Sequence, residues 1–368
     1  MKNKRKFVEA AKILVIVLIF LFSTYEKYKV YDKAGGDITV FRKAVTDLLS
    51  GANPYYEAVA SFTQPEKGLD HGYAYFPTLM YMYTPLYLVH LNFDIPLQRV
   101  WKTLTLITDY VIAAILIKMF YKKDYFAAAL ASFFWLYNPY IFIRHEYSYN
   151  DSMGILSMVL ALYFMETKSA VSGFWYAVSV SFKTFPVVLF PLFMLKTKNR
   201  VRFLAAGFAF ALLISLPFIT SIKDIKTYVR GTVLIHGERD PQGRPLLIFV
   251  QYYTHLPLFN LAHITLYSIA SMLSGWVATL YLYFKKITRN KYVLSMISFL
   301  GFYILTPVFN RTYLLWFIPV YILGMYELLA KRNKWAFYVS VVLFYVLYSW
   351  YLSIWTKGVQ VSGTNISL

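Results

Sequence analysis

Apolar runs separated by short polar breaks follow one another along nearly the whole chain. The runs lie within residues 13–22, 111–117, 127–135, 155–164, 203–218, 293–305 and 339–355, each inside a longer apolar stretch. A helix that crosses a bilayer needs about 20 mainly apolar residues. The pattern therefore predicts an all-α polytopic membrane protein. We expect the first run to be retained as a span, because no small-residue cleavage pattern follows it.

Basic clusters beside these runs orient the predicted helices. The clusters are Lys2–Lys6, Lys118–Lys123, Lys168, Lys196–Arg202, Lys285–Lys291 and Lys331–Lys334. Cytoplasmic loops of membrane proteins carry an excess of lysine and arginine, so these clusters predict the cytoplasmic side. Spans that join them number about eleven and start from a cytoplasmic N-terminus.

Residues 169–195 interrupt this alternation, because basic residues flank both of their ends. A single crossing would leave Lys196–Arg202 on the external side. Pro186 cannot continue a regular helix. The sequence therefore predicts two short segments that meet near Phe182–Pro186. Such a break is tolerated at membrane depth where it lines protein or a wet cavity.

A long first external loop, residues 25–96, predicts two further elements. An apolar stripe with polar residues opposite predicts an amphipathic helix lying on the membrane. The stripe is Ile38, Phe41, Val45, Leu48 and Leu49. Residues 73–93 are apolar, but we expect Pro77 and Pro85 to break a helix, which predicts a re-entrant or membrane-lying segment. Without a linker-rich boundary or a visible repeat, residues 1–368 predict a single transmembrane domain.

Composition excludes several classes of protein. Of the 368 residues 58% are hydrophobic and 15% are charged, whereas a soluble domain carries about a quarter charged residues. The net charge of +19 is concentrated beside the membrane spans, so we expect no nucleic-acid partner. The absence of cysteine excludes disulfides and thiolate chemistry. The histidines show no ligand spacing and no nucleotide-binding glycine pattern occurs, so we expect no metal and no cofactor.

Nearly every polar cluster that is not a predicted cytoplasmic loop falls on the predicted external side. They are Asp37, Arg144–Asp151, Lys183, His236–Arg244 and Asn310–Arg311. Ionisable groups at membrane depth are costly, so their convergence at one face predicts a catalytic or transport cavity.

Each of these residues also has a structural interpretation. Asp37 opens the amphipathic helix, where aspartate is a favoured N-cap and is also rigidly aimed for proton transfer. Lys183 either extends its charge to a membrane surface or binds a phosphate inside a cavity. Asp151 can cap a helix, the segment from His236 to Arg244 can be an exposed loop, and Arg311 can be an interfacial anchor.

Six fragments, in their order along the chain, resemble one family. They are GDITVFRKAVTDLLSGANPYY, YAYFPTLMYMYTPL, FWLYNPYIFIRHEYSYNDS, SFKTFPVVLFPL, HGERDPQGR and FNRTYLLWFIP. From about Gly36 to Pro319 the chain resembles the GT-C membrane glycosyltransferases. It is most similar to the polyprenyl-phosphate-mannose-dependent mannosyltransferases that include the enzyme adding the first mannose of GPI anchors. Gly35 departs from that enzyme, which has the first acid of an Asp-x-Asp pair there.

The resemblance implies a GT-C-like bundle and roles for named residues. Asp37 matches the acid that serves as the base in the first external loop. Lys183, with Arg239 or Arg244, would stabilise the phosphate that leaves. The candidate substrate-binding residues are Tyr75, Asn150, Asp151, His236, Asp240 and Arg311.

The implied reaction transfers a hexose, mannose in this branch, with inversion at the anomeric carbon. The donor is a polyprenyl-phosphate sugar whose tail lies in membrane lipid. The acceptor is lipid-linked or a glycan, on the extracytoplasmic face of the cell or endoplasmic reticulum membrane. A transporter or flippase of lipid-linked substrates is the alternative, since broken helices and buried charges suit it too. A third interpretation is a non-catalytic subunit of a membrane glycosylation complex, and an accessory membrane subunit is a further possible partner.

Overall fold

The computed structural model describes residues 2–33, 37–63, 72–144, 151–238 and 241–355. Within these ranges six helices are long and apolar enough to cross a membrane: Lys6–Tyr28, Leu97–Phe120, Arg200–Phe218, Ile264–Phe284, Tyr313–Ala330 and Lys334–Ile354. Shorter apolar helices of 10–17 residues are Tyr125–Leu136, Asp151–Phe164, Phe185–Lys196 and Lys291–Leu305. The chain is an all-α, multi-pass membrane protein, and the number of about eleven crossings stays a prediction.

The α-helices in chain order are α1 (Lys2–Tyr28), α2 (Asp37–Leu49), α3 (Pro54–Thr63), α4 (Thr78–Phe93), α5 (Leu97–Phe120), α6 (Tyr125–Leu136), α7 (Pro139–Arg144), α8 (Asp151–Phe164), α9 (Ser169–Phe182), α10 (Phe190–Lys196), α11 (Arg200–Ser215), α12 (Ile222–Val229), α13 (Ile235–Glu238), α14 (Leu246–Thr254), α15 (Ile264–Phe284), α16 (Lys291–Leu305), α17 (Tyr313–Met325) and α18 (Lys334–Trp355). Short 3₁₀ segments are Phe185–Leu189, Leu216–Phe218 and Leu261–His263, and π-helical segments are Arg230–Leu234 and Tyr326–Ala330. Strands β1 (Gln242–Gly243) and β2 (Val308–Phe309) pair in parallel.

Ion pairs gather the basic clusters at one end of the bundle. Glu166, just after α8, lies 2.9 Å from Lys196 Nζ and 3.5 Å from Lys291 Nζ. Asp124, which caps α6, lies 3.2 Å from Lys334 Nζ. We call this part of the bundle the basic end. The clusters that the sequence predicts on one side of the membrane therefore share one end of the structure.

Two further contacts join the remaining helices to the basic end. Lys118 Nζ lies 5.7 Å from the ring centre of Tyr163, which connects the end of α5 to the end of α8. The hydroxyl of Tyr121 donates to Glu9 of α1 at 3.1 Å. Because the 14 residues of α8 span about 21 Å, its first residue, Asp151, lies about that far along α8 from the basic end.

The segment between α9 and α11 is a bent pair of short helices. α9 stops at Phe182, Lys183 is extended, and the chain resumes as a 3₁₀ segment and α10. The Tyr176 and Phe193 ring centres lie 4.5 Å apart, so α10 returns alongside α9. The prediction of two segments that meet near Phe182–Pro186 is confirmed.

α2 buries part of its apolar stripe inside the protein, while Leu49 of the same stripe is 49% exposed. Phe41 and Val45 are buried, and the Phe41 ring centre lies 5.2 Å from that of Trp101 on α5. The interpretation of this stripe as a membrane-lying face is wrong for these two residues, because α4 and α5 cover them. Periodicity identifies an apolar face but does not distinguish lipid from protein as its environment.

α4 continues through Pro85, so the expectation that this proline breaks the helix is wrong. A proline lacks the amide proton that a helix interior uses. The neighbouring Thr84 hydroxyl donates to the Met80 carbonyl at 2.8 Å. Pro85 cannot donate to the Tyr81 carbonyl, so the Thr84 bond lies beside the gap in the helical hydrogen bonding and does not fill it. Pro77 does mark a boundary, because α4 begins at the next residue.

Candidate functional site

A buried ion pair lies at the bend between α9 and α10. Lys183 Nζ lies 2.5 Å from Asp151 Oδ1 and donates to Thr312 Oγ1 at 3.1 Å. The indole Nε1 of Trp316 donates to the same carboxylate oxygen at 2.6 Å. The Lys183 and Asp151 side chains are 15% and 5% exposed. The start of α8, the bend after α9 and the start of α17 therefore meet at two opposite charges, in the manner expected of a functional position inside a membrane protein.

A glycine allows this meeting. A Cβ atom at Gly154 would lie 2.3 Å from Cη2 of Trp316 and 2.9 Å from Cβ of Phe182. Any side chain there would push α8 away from both neighbours. Gly154 thus brings Asp151, one turn earlier, within reach of the Trp316 indole and the end of α9.

Aromatic side chains connect the ion pair to α2. The Tyr313 ring centre lies 5.4 Å from Lys183 Nζ. Tyr75 is within electrostatic range of the same ammonium, and its ring centre lies 6.5 Å from that of His236. The Tyr75 ring also packs against Phe41 of α2, with 5.8 Å between the two ring centres. The structure thus brings Asp151, Lys183, Tyr75 and His236 into one neighbourhood.

Tyr55 holds the backbone of Tyr75 in place. Its hydroxyl donates to the Tyr75 carbonyl at 2.8 Å. The Tyr55 ring is fully buried, with the Tyr228 and Phe218 ring centres at 5.0 and 5.2 Å. A carbonyl tied to a buried, packed phenol has little freedom, so α3 fixes the position of Tyr75.

Helix α5 holds the chain on both sides of the segment that leads to Asp37. Lys102 Nζ donates to the carbonyls of Val30 and Lys33, both at 2.6 Å. On the other side, Phe41 packs on Trp101. Asp37 is the first residue of α2, and its side chain lies outside the part of the chain that the structure describes.

The late loop is attached to the chain just before α17. Through the β1–β2 pairing, the Arg244 amide donates to the Phe309 carbonyl at 3.2 Å. Arg244 is buried, and its Nη2 donates to the Ile354 carbonyl near the end of α18 at 2.7 Å. The Arg311 guanidinium lies 5.8 Å from the Tyr140 ring centre. These contacts give Arg244 and Arg311 structural neighbours, and their roles toward a substrate stay predictions.

Three predicted site residues, Asn150, Arg239 and Asp240, lie outside the described residues. Among the residues that the structure does describe, no group of three or more histidine or acidic side chains could hold a metal ion.

Gly243 provides a test of the β1–β2 attachment. Its φ is +79°, and an added Cβ would lie 2.0 Å from the Phe309 carbonyl oxygen. We expect Gly243→Ala to lower the free energy of unfolding by about 2 kcal/mol or more, from backbone strain and steric clash. Thermal unfolding in detergent measures the effect. Gly237→Ala is the matched control, because its nearest neighbour would be Thr265 Cγ2 at 3.9 Å. Equal melting temperatures for the two variants would contradict the attachment.

An apolar groove runs between α9 and α11. Its volume is about 300 Å³, and Phe76 and Phe190 line it together with residues of these two helices. Gly173 brings the helices together, since a Cβ there would lie 2.0 Å from the Phe203 carbonyl oxygen. The lining residue Ser181 is two positions before Lys183, and Phe76 follows Tyr75. The groove therefore leads towards the buried ion pair.

Two known proteins are similar to about half of this chain. The chain is similar to GPI mannosyltransferase 1. The protein of that name from Debaryomyces hansenii is 25% identical over 193 residues, which are 50% of this chain and 42% of that protein. The one from Candida albicans is 24% identical over 195 residues, 51% of this chain and 44% of that protein. The match thus spans less than half the length of either relative. No family model matches the chain.

The sequence reasoning missed several residues of this neighbourhood. Thr312 and Trp316 hold the ion pair, and their spacing of four within FNRTYLLWFIP places them on one helix face. That spacing, in a set of fragments that also contains Lys183 and Asp151, was the signal that could have indicated these two partners of the ion pair. A second buried ion pair, Lys27 with Asp109 at 2.6 Å between α1 and α5, was also missed.

Proposed function

We propose that this chain is a membrane mannosyltransferase that takes its sugar from a polyprenyl-phosphate donor. The observation that carries the proposal is the buried Lys183–Asp151 pair, with an apolar groove that reaches Ser181, two positions before Lys183. The likeness to GPI mannosyltransferase 1 supports the reaction class. Such a donor has an apolar tail and a charged phosphate. The groove would bind the tail, and the ammonium of the ion pair would bind the phosphate.

The donor phosphate would meet the ammonium of Lys183. An ammonium group has three donors, and Asp151 and Thr312 accept from two of them. The third is then available to a phosphate oxygen, and the 15% exposure of the side chain leaves an approach open. Phosphate acquires more negative charge as it leaves, so this contact is stronger in the transition state than in the bound donor.

Asp37 would act as the base. The acceptor hydroxyl attacks the anomeric carbon, its proton passes to the Asp37 carboxylate, and the bond from the anomeric carbon to the phosphate oxygen breaks. Polyprenyl phosphate leaves from the opposite face of the sugar, so the configuration inverts. Tyr75 and His236 are placed to contact the sugar or the acceptor. We assign further substrate contacts to Asn150, Asp151, Asp240 and Arg311, and further phosphate contacts to Arg239 and Arg244.

The site would face away from the cytoplasm, in the endoplasmic reticulum or cell membrane. The basic end would then be cytoplasmic, since basic residues are retained there. Because the chain has no cysteine, Lys198→Cys and Lys226→Cys give clean single labelling positions. We expect an impermeant maleimide, added to sealed vesicles with the extracytoplasmic face outward, to label Lys226→Cys only. Labelling of Lys198→Cys alone would contradict this orientation and indicate the reverse one.

The donor class can be tested with the purified chain in nanodiscs. Mannose labelled with tritium is offered either on polyprenyl phosphate or on a guanosine diphosphate, together with a lipid extract as acceptor. We expect label to enter the lipid fraction from the polyprenyl donor only. Transfer from the nucleotide sugar would overturn the donor assignment. Donor movement between vesicle leaflets without transfer would instead favour a flippase.

A further inference from the structure

Helix α12 presents two exposed stripes that lie side by side. Ile222, Ile225 and Val229 are 75%, 43% and 41% exposed. The exposed basic residues are Lys223, Lys226 and Arg230. At 3.6 residues per turn, each set covers about 60° of the helix circumference, and the two sets are adjacent. An apolar stripe beside a basic stripe is the pattern of a helix that lies in a membrane interface.

The remaining face of α12 is fixed against the protein. Asp224 accepts hydrogen bonds from Thr220 at 2.6 Å, Ser221 at 2.7 Å and the Tyr56 hydroxyl at 2.8 Å. These bonds lower the pKa of the Asp224 carboxyl to about 2, so it stays ionised at neutral pH. Tyr228 is buried, and its hydroxyl lies 2.6 Å from Ser215 Oγ. The contacts with Tyr56 and Ser215 join α12 to other elements, so the helix cannot rotate its two stripes inward without losing them.

Chain connectivity places α12 at the membrane surface. The span Arg200–Phe218 ends only four residues before α12 begins at Ile222. Four residues extend over at most about 14 Å. The exposed Leu213 and Leu216 near the end of the span lead towards the exposed Ile222. A helix this close to the end of a span lies at the depth of the lipid headgroups.

From this placement we infer that α12 is an interfacial helix whose basic stripe binds the phosphate groups of anionic phospholipids of the bilayer. Its apolar stripe enters the upper acyl region of the same leaflet. Charge complementarity selects the partner, because Lys223, Lys226 and Arg230 are exposed beside the apolar stripe. Lys223 Nζ also lies 5.0 Å from the Tyr56 ring centre. This surface is separate from the transfer reaction, and its test requires no sugar transfer.

Bromine-bearing lipids can test the inference in the full chain. Ile225→Cys carries an environment-sensitive fluorophore, and nanodiscs contain equal fractions of phosphatidylglycerol and phosphatidylcholine with bromine on one or the other. We expect brominated phosphatidylglycerol to quench at least about twofold more than brominated phosphatidylcholine. Val229→Cys, on the same stripe, should report the same preference.

Charge removal separates specific binding from simple immersion. In the Lys223→Gln, Lys226→Gln, Arg230→Gln variant the quenching preference should disappear. The control variant Lys285→Gln, Lys286→Gln, Arg289→Gln loses the same charge at the basic end and should keep the preference. In the protein with Lys223, Lys226 and Arg230 intact, equal quenching by both brominated lipids would overturn the inference. Quenching by neither lipid would also overturn it. Loss of the preference on adding a small fraction of farnesyl phosphate would assign the stripe to a polyprenyl phosphate instead, which also overturns it.

Discussion

Replacing Asp37 with asparagine is expected to lower the transfer rate by about 10²-fold or more, the usual scale of losing a general base. Asparagine is as good an N-cap as aspartate, and Asp37 is the first residue of α2. The Asp37→Asn variant should therefore keep helix α2 and its packing against Trp101. The prediction is a loss of rate with an unchanged melting temperature, measured on the same purified sample.

Asp47→Asn is the matched control for this change. Asp47 lies on the same helix and also carries a carboxylate, but ten residues further from the candidate site. It should retain nearly the full transfer rate. A fully active Asp37→Asn variant would return Asp37 to a capping role, whereas a variant that melts much earlier would show that the carboxylate is structural.

The second large effect is expected at Lys183. Lys183→Met leaves Asp151 as a buried carboxylate without its ammonium partner, although Trp316 still donates to it. Breaking a buried ion pair on one side costs about 3–5 kcal/mol of stability. The leaving phosphate would also lose its cation, which lowers turnover by about 10²-fold or more. Thermal unfolding and the transfer rate measure the two effects separately.

A double variant distinguishes stability from chemistry. Lys183→Met with Asp151→Asn removes both charges, so much of the lost stability should return. Activity should not return, because the phosphate still lacks its cation. Recovery of activity in the double variant would show that the pair is only structural.

The buried pair Lys27–Asp109 is the control for this experiment. Its two side chains are as buried as those of Lys183 and Asp151, and their charges lie 2.6 Å apart. Lys27→Met should lose comparable stability, and Lys27→Met with Asp109→Asn should recover both stability and transfer. The contrast between the two double variants isolates the catalytic contribution of Lys183.

The membrane spans could be predicted because burial in a bilayer demands long apolar runs. The bend at Lys183 could be predicted because Pro186 stops a helix and basic residues flank both sides of the segment. In each case one local property of the sequence decides the structure.

Other features depend on contacts that no local pattern contains. Asp151 and Lys183 are 32 positions apart, and their pairing depends on where α8 and α9 pack. Pro85 was expected to break a helix, yet α4, whose first turns are buried in the protein, continues through it. Phe41 of the α2 stripe faces protein because Tyr83 of α4 and Trp101 of α5 cover it.

The break between α6 and α7 at residues 137–138 was also not predicted, although Pro139 follows it. Proline at the first position of a helix is compatible with continuing the chain in a new direction. The apolar run that includes residues 127–135 continues past this point, so hydropathy alone shows no break. Tyr140 of α7 lies next to Arg311, with its ring centre 5.8 Å from the guanidinium.

The most direct test of the proposed reaction is a measurement of its stoichiometry. Purified chain is given polyprenyl-phosphate mannose and a lipid acceptor, and both released polyprenyl phosphate and mannosylated product are counted against time. We predict one polyprenyl phosphate for each mannose transferred, with the Asp37→Asn variant slower by about 10²-fold in both. Wild-type protein that is folded and donor-bound but forms neither product would contradict the proposed transferase.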